Sequence, residues 1–151
     1  MKQNVDILAI SFRKAIEEAI NNNEVFSIPA FKYFPNGCCD DACDLLAFYL
    51  KQHFIDSIKI NGSYVGNDKE NYNQHHVWLQ VDDFFVDITG DQFKNNKCFE
   101  YFNISTYVGS DNDFYSKFSD REIELPFDFI NNDSFSGKNL YHDYLILKKY
   151  L

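Results

Sequence analysis

A chain of 151 residues that is 45% hydrophobic and 18% aromatic has the composition of one globular domain, 1–151, rather than of a disordered segment. Its net charge of −9 repels phosphate backbones, and no lysine or arginine cluster overrides that field, so nucleic acid is excluded as an expected partner. No apolar run reaches the ~18 residues of a membrane span, and the four sparse cysteines and unbroken-signal-free N-terminus predict a reducing, cytoplasmic setting, with non-classical export as the other route.

Val5, Leu8, Ala9, Phe12, Ala15, Ile16, Ala19 and Ile20 recur at helical spacing and predict a packing helix over 4–21, ended by three asparagines. A proline-containing loop, NEVFSIPAFKYFPNG, follows. A second helix is predicted just after Gly37, with Asn36 as its N-cap and Asp40 and Asp41 in the first turn, where the dipole favours acids. Ala42, Leu45, Leu46, Tyr49 and Leu50 form its apolar face, and it ends near His53.

Strand patterns occupy 57–66, 75–81, 84–89 and 104–110. Asp82-Asp83 makes a tight hairpin between the second and third. The segment from Ser110 to Ser136 is polar and reads as a long surface loop. The run 138–151 has no clean period, and its YLIL reads either as a closing strand or as a helical turn. Helices followed by an antiparallel meander give an α+β class, with the N-terminal helices packed on the sheet.

The hairpin separates two neighbouring histidines. A two-residue turn pairs Val81 with Phe84, Leu79 with Val86 and Val77 with Ile88, an apolar face that also carries His75. The opposite face holds His76, Trp78, Gln80, Phe85, Asp87 and Thr89. Asp87 is a diagonal neighbour of His76 there, and a carboxylate beside an imidazole fixes its tautomer and supports its charged form. An ordinary cross-strand polar pair on a solvated face is the plainer reading of the same pattern.

Three of the four cysteines fall in GCCDDAC. A thiol works as thiolate, and the front of a helix favours that anion. Cys38 and Cys39 both satisfy this condition, and the helix argument does not choose between them. Cys43 shares a face with Ala42 and Leu46 and reads as a small core residue; Cys98 has no role. Asp40 and Asp41 oppose reactivity through their charge. Zinc held by these cysteines and the two histidines is a third reading, but no CxxC pair supports it, and no metal is expected.

FPNGCCDDA, then HVWL, then DITGDQF resembles the transglutaminase-like branch of the papain-like cysteine enzymes, in particular small bacterial proteins with an FPxGxCxDA…HxWL…DITxDQF signature. The resemblance covers residues 34–93. It implies a papain-like core with Cys39 as nucleophile, His76 as base and Asp87 as orienting acid, and no cofactor. Where papain-type peptidases carry an oxyanion glutamine ahead of the nucleophile, this chain has Tyr33. Gln92 is another amide candidate for orienting His76 or binding substrate, and Trp78 is placed to shield the histidine–aspartate contact.

The expected function is thiol-dependent acyl transfer on peptide, isopeptide or glutamine side-chain amides through an acyl-thioester, as peptidase, deamidase or transglutaminase, with a peptide or protein as substrate. A catalytically silent relative that binds a peptide or protein is the alternative, the acidic charge suiting a basic partner. An arylamine-type N-acetyltransferase is a further one, though no positive phosphate cradle accompanies the triad. The sequence leaves oligomeric state open.

Overall fold

Residues 1–64, 66 and 74–151 are described by a computed structural model. Helices α1 (Lys2–Asn21), α2 (Cys39–Gln52), α3 (Asp113–Ser116) and α4 (Phe135–Leu147) accompany strands β1 (Ile58–Ser63), β2 (His75–Val81), β3 (Phe84–Asp87), β4 (Tyr107–Gly109) and β5 (Asp120–Glu124). The strands form one antiparallel sheet in the order β4-β3-β2-β1-β5, so the fold is α+β. Position 65 of the predicted first strand lies outside the described residues.

The central hairpin has the predicted register, with Leu79 opposite Val86 and Val81 opposite Phe84. Asp82 adopts a left-handed φ of 49°, which its short polar side chain tolerates and a two-residue turn requires.

The period of two along β2 sends its side chains into two different cores. Val77, Leu79, Val81, Val86 and Ile88 meet Phe12 and Ile16 of α1, Leu45 and Leu46 of α2, and Leu140 and Leu147 of α4. On the reverse face Trp78 and Phe85 meet Phe93, Phe99, Phe114, Tyr115 and Phe118. That face is therefore roofed by aromatic rings and not solvated. Each ring fully buried there contributes about 1.5–3 kcal/mol.

Three rings of the roof, Phe114, Tyr115 and Phe118, come from the segment predicted to be a surface loop, and the difference has a local cause. The Asn112 side chain accepts hydrogen bonds from the Phe114 and Tyr115 backbone N–H groups and starts a one-turn helix, α3. Phe114 and Tyr115 are thereby turned inward, β5 pairs with β1, and Phe129 enters the helical core. At the C-terminus the YLIL run lies inside α4, whose N-cap is Ser134, its hydroxyl oxygen accepting from the Gly137 N–H.

The start of α2 also differs from expectation. Cys38, not Asn36, is the N-cap residue, and its side chain makes no capping bond. Asn36 instead donates to the Tyr33 carbonyl at 3.2 Å. Gly37 has a φ of +71°, a left-handed turn that glycine enters without a Cβ penalty and that reverses the chain into the helix.

Candidate active site

The first turn of α2 presents two adjacent thiols to different surroundings. Cys38 is 1% exposed and its Sγ lies 3.6 Å from the Pro35 carbonyl oxygen. Burial first, and then the neighbouring Cys39 and Asp41, push its pKa up to about 12. A group so reluctant to ionise is a structural thiol. Cys43 is buried, its Sγ donates to the Val77 carbonyl at 3.5 Å, and burial raises its pKa as well. Cys39 is half-buried and is the first residue of the helix. Cys98 lies in a short turn beside the aromatic roof.

His76 is fully buried on β2, and its Nε2 lies 2.6 Å from Asp87 Oδ2 on the neighbouring strand. Burial works against a charged imidazole. The Asp87 charge and hydrogen bond outweigh it, Cys39 adds a smaller hydrogen-bonding contribution, and the His76 pKa is pushed up to about 10. On Asp87, burial acts to raise the pKa, but the His76 charge and the hydrogen bonds to the carboxylate prevail and lower it. Both directions describe the same buried ion pair.

The carboxylate of Asp87 is held at both oxygens. Oδ1 accepts from the Thr89 N–H at 2.8 Å and its hydroxyl at 3.2 Å, and Oδ2 accepts from the Tyr115 hydroxyl at 3.1 Å. A buried anion needs such donors to offset the loss of water. The imidazole is enclosed by Trp78, Phe93, Phe114 and Phe118, with ring centroids 5.3–5.8 Å away. Water is thus kept from the pair, while Cys39 at its outer end retains some exposure.

The acidic pair beside Cys39 is partly offset. Lys59 of β1 donates to Asp40 Oδ1 at 2.6 Å and also reaches Asp44 at 3.2 Å. Asp41, desolvated and flanked by Asp40 and Asp44, has its pKa raised to about 6 and carries less charge in mildly acidic solution than a free aspartate.

The other predicted positions divide. Gln92 reaches the site: its Nε2 lies 3.1 Å from His76 Nδ1 and donates to the Thr89 carbonyl at 3.1 Å. Trp78 forms part of the wall around His76 and is 0% exposed; among the described residues its indole N–H has no hydrogen-bond partner. Tyr33 is 64% exposed on the loop before α2, its ring beside Lys32, and supplies no donor to the enclosed pair. His75 points outward and its Nδ1 lies 2.9 Å from the Ser63 hydroxyl. Among the described residues no cluster of three or more histidine, cysteine or acidic side chains is arranged to hold a metal ion.

Sequence reasoning passed over Arg13 and Tyr115. Arg13 of α1 grips both oxygens of Asp91 at 2.9 Å, donates to the Ile88 carbonyl at 2.7 Å, and lies over the Phe34 ring at 4.5 Å. One guanidinium therefore ties the turn after β3 to the loop that leads into Cys39. A lone arginine on an otherwise apolar helix face was its available signal. For Tyr115, the Phe114–Phe118 spacing behind an Asn-Asp cap signalled a helical turn. Comparison of the chain with protein-family models, with curated proteins and with solved structures finds no match.

Proposed function

We propose that this protein is a thiol-dependent acyl-transfer enzyme with a papain-like, transglutaminase-like core, in which Cys39 is the nucleophile, His76 the base and Asp87 the orienting acid. The observation that carries the reading is the buried His76–Asp87 pair, 2.6 Å apart, with its imidazole influenced by the one cysteine of the GCCDDAC run that keeps solvent access. A structural ion pair has no need of a thiol at its open end, and a structural thiol has no need of a helix start.

In this mechanism the Cys39 proton rests on His76, whose raised pKa favours an imidazolium beside a Cys39 thiolate. The thiolate attacks an amide carbonyl, the Cys39 backbone N–H at the front of α2 donates to the developing oxyanion, and the protonated imidazole returns its proton to the departing amine. Water or a second amine then resolves the thioester. The substrate class is a peptide, isopeptide or glutamine side-chain amide.

Iodoacetamide at neutral pH provides the first test. Cys39 is expected to be alkylated at least tenfold faster than Cys98, the other thiol with access, and His76→Ala is expected to abolish that preference. Equal slow labelling of both overturns the reading. Ammonia release from a glutamine peptide, against incorporation of a labelled amine, separates hydrolysis from transfer, and Cys39→Ala must eliminate either signal.

A further inference from the structure

His76 is pulled in opposite directions at its two nitrogens. At Nε2 the Asp87 carboxylate favours a proton. Near Nδ1 lies Gln92 Nε2, 3.1 Å away, and that same nitrogen lies 3.1 Å from the Thr89 carbonyl oxygen. The carbonyl settles which way the amide faces. It is only an acceptor, so an amide oxygen turned toward it would meet another oxygen, whereas the NH2 group has one hydrogen for Thr89 and one for the ring. A donor aimed at Nδ1 stabilises the bare nitrogen and opposes its protonation.

That opposition has a use in the proposed reaction. An imidazolium held too firmly by Asp87 would give up its proton to the departing amine only slowly. Nδ1 is also the nitrogen left for Cys39, because Nε2 is occupied by Asp87.

We infer that Gln92 is a positioning residue that holds the neutral form of His76 as the Nε2–H tautomer and weakens the imidazolium that Asp87 would otherwise make too stable. The inference rests on the assignment of Cys39 and His76 as nucleophile and base for its catalytic meaning, but not for its physical content. When the thiol's proton moves to Nδ1, the S–H bond breaks, an N–H bond forms, and two donors face each other. Return of that proton to the leaving amine restores the Gln92 contact. The amide thus favours the proton's departure at the step where the ring must act as an acid.

The groups that face the ring are few among the described residues. Asp87 comes from β3, Cys39 from α2 and Gln92 from the turn Gly90–Phe93, and Tyr115 of α3 acts through Asp87. The remaining walls are the rings of Trp78, Phe93, Phe114 and Phe118. Among the described residues, removing the Gln92 amide therefore leaves only the Cys39 thiol to face Nδ1, and none once Cys39 is replaced by alanine.

The test is a titration of His76 followed by long-range proton–nitrogen NMR, in the full chain carrying Cys39→Ala so that a single group titrates at the site. With Gln92 intact, the neutral ring is expected to carry its proton on Nε2. Adding Gln92→Leu should raise the midpoint by about one pH unit, the tenfold change in proton affinity that a lost hydrogen bond of ordinary strength produces. Gln92→Glu, which keeps the shape of the side chain and is read if the leucine variant does not fold, should raise it further. Unchanged midpoints, or a neutral ring protonated on Nδ1, would overturn the inference. These outcomes need no activity, so they are separate from the alkylation test of Cys39. In the chain with Cys39 present, the leucine variant should be alkylated at neutral pH at least as fast as the wild type; a purely structural defect would slow it.

Discussion

The Tyr115 hydroxyl donates to the same Asp87 oxygen that faces His76 Nε2, so one carboxylate oxygen joins a residue from the roof to the imidazole on the sheet. Tyr115→Phe removes that donor and leaves the ring packing in place. A hydrogen bond to a buried charged group is worth about 1.5–3 kcal/mol, and urea unfolding at pH 7 should show a loss of that order. The donor also helps hold the Asp87 pKa down. The acid limb of stability is therefore expected to begin at higher pH in the variant.

The His76 titration gives stability a definite dependence on pH. Its folded pKa of about 10 exceeds its ordinary 6.5. The folded protein therefore binds the extra proton between those values, and the contribution is complete below 6.5 and lost as pH rises through 10. Asp87, with a lowered folded pKa, contributes above 3.8 and loses that contribution as pH falls through its depressed value. Denaturant midpoints measured from pH 6 to pH 10 should fall in the wild type, and more shallowly in His76→Gln. Parallel curves would contradict the ion pair.

Asp41 is shifted in the opposite direction to Asp87. Its pKa is raised from 3.8 to about 6, first by burial and then by Asp40 and Asp44. Ionising it costs stability as pH rises through that interval, and the cost persists above pH 6. Asp41→Asn should raise the thermal midpoint at pH 7 and leave it nearly unchanged at pH 3.

Gly62 lies opposite His76 across the β1–β2 pair. A Cβ there would stand 2.7 Å from the Phe118 Cβ and 2.8 Å from the far edge of the Trp78 indole. Both rings wall the imidazole, so Gly62→Ala should overpack the site and destabilise by about 1–3 kcal/mol. Its near-ultraviolet circular dichroism should change, since the perturbed rings include the only tryptophan.

Arg13 and Asp91 form a bidentate pair, both nearly buried. Arg13→Met leaves the Asp91 carboxylate without its cation, and breaking a buried pair in this way costs about 3–5 kcal/mol. Adding Asp91→Leu should recover part of the loss, because two apolar partners leave no stranded charge. A double-mutant cycle with no coupling would reject the pairing.

The amphipathic helix 4–21 and the hairpin were legible because their periods persist long enough to separate from noise, and α1 and β2 follow them closely. The same register placed His76 and Asp87 on one face. It did not reveal what covered that face, because the roof is made of pieces too short to carry a period: the four residues of α3 and the isolated Phe93 and Phe99. Cys38 and Cys39 are equivalent to any argument from helix ends; only the three-dimensional path of the loop buries the first and brings the second to the imidazole. Tyr33 matched its position by counting along the chain, a criterion blind to the turn that leaves it in solvent.

β2 is the third of five strands, hydrogen-bonded on both sides, and the edges of the sheet are β4 and β5. Transient detachment of either edge leaves the strand bearing His76 still paired on both flanks. Amide protons along Val77–Leu79 should consequently be among the last to exchange with deuterated solvent, and heat should part His76 from Asp87 only where the whole molecule melts.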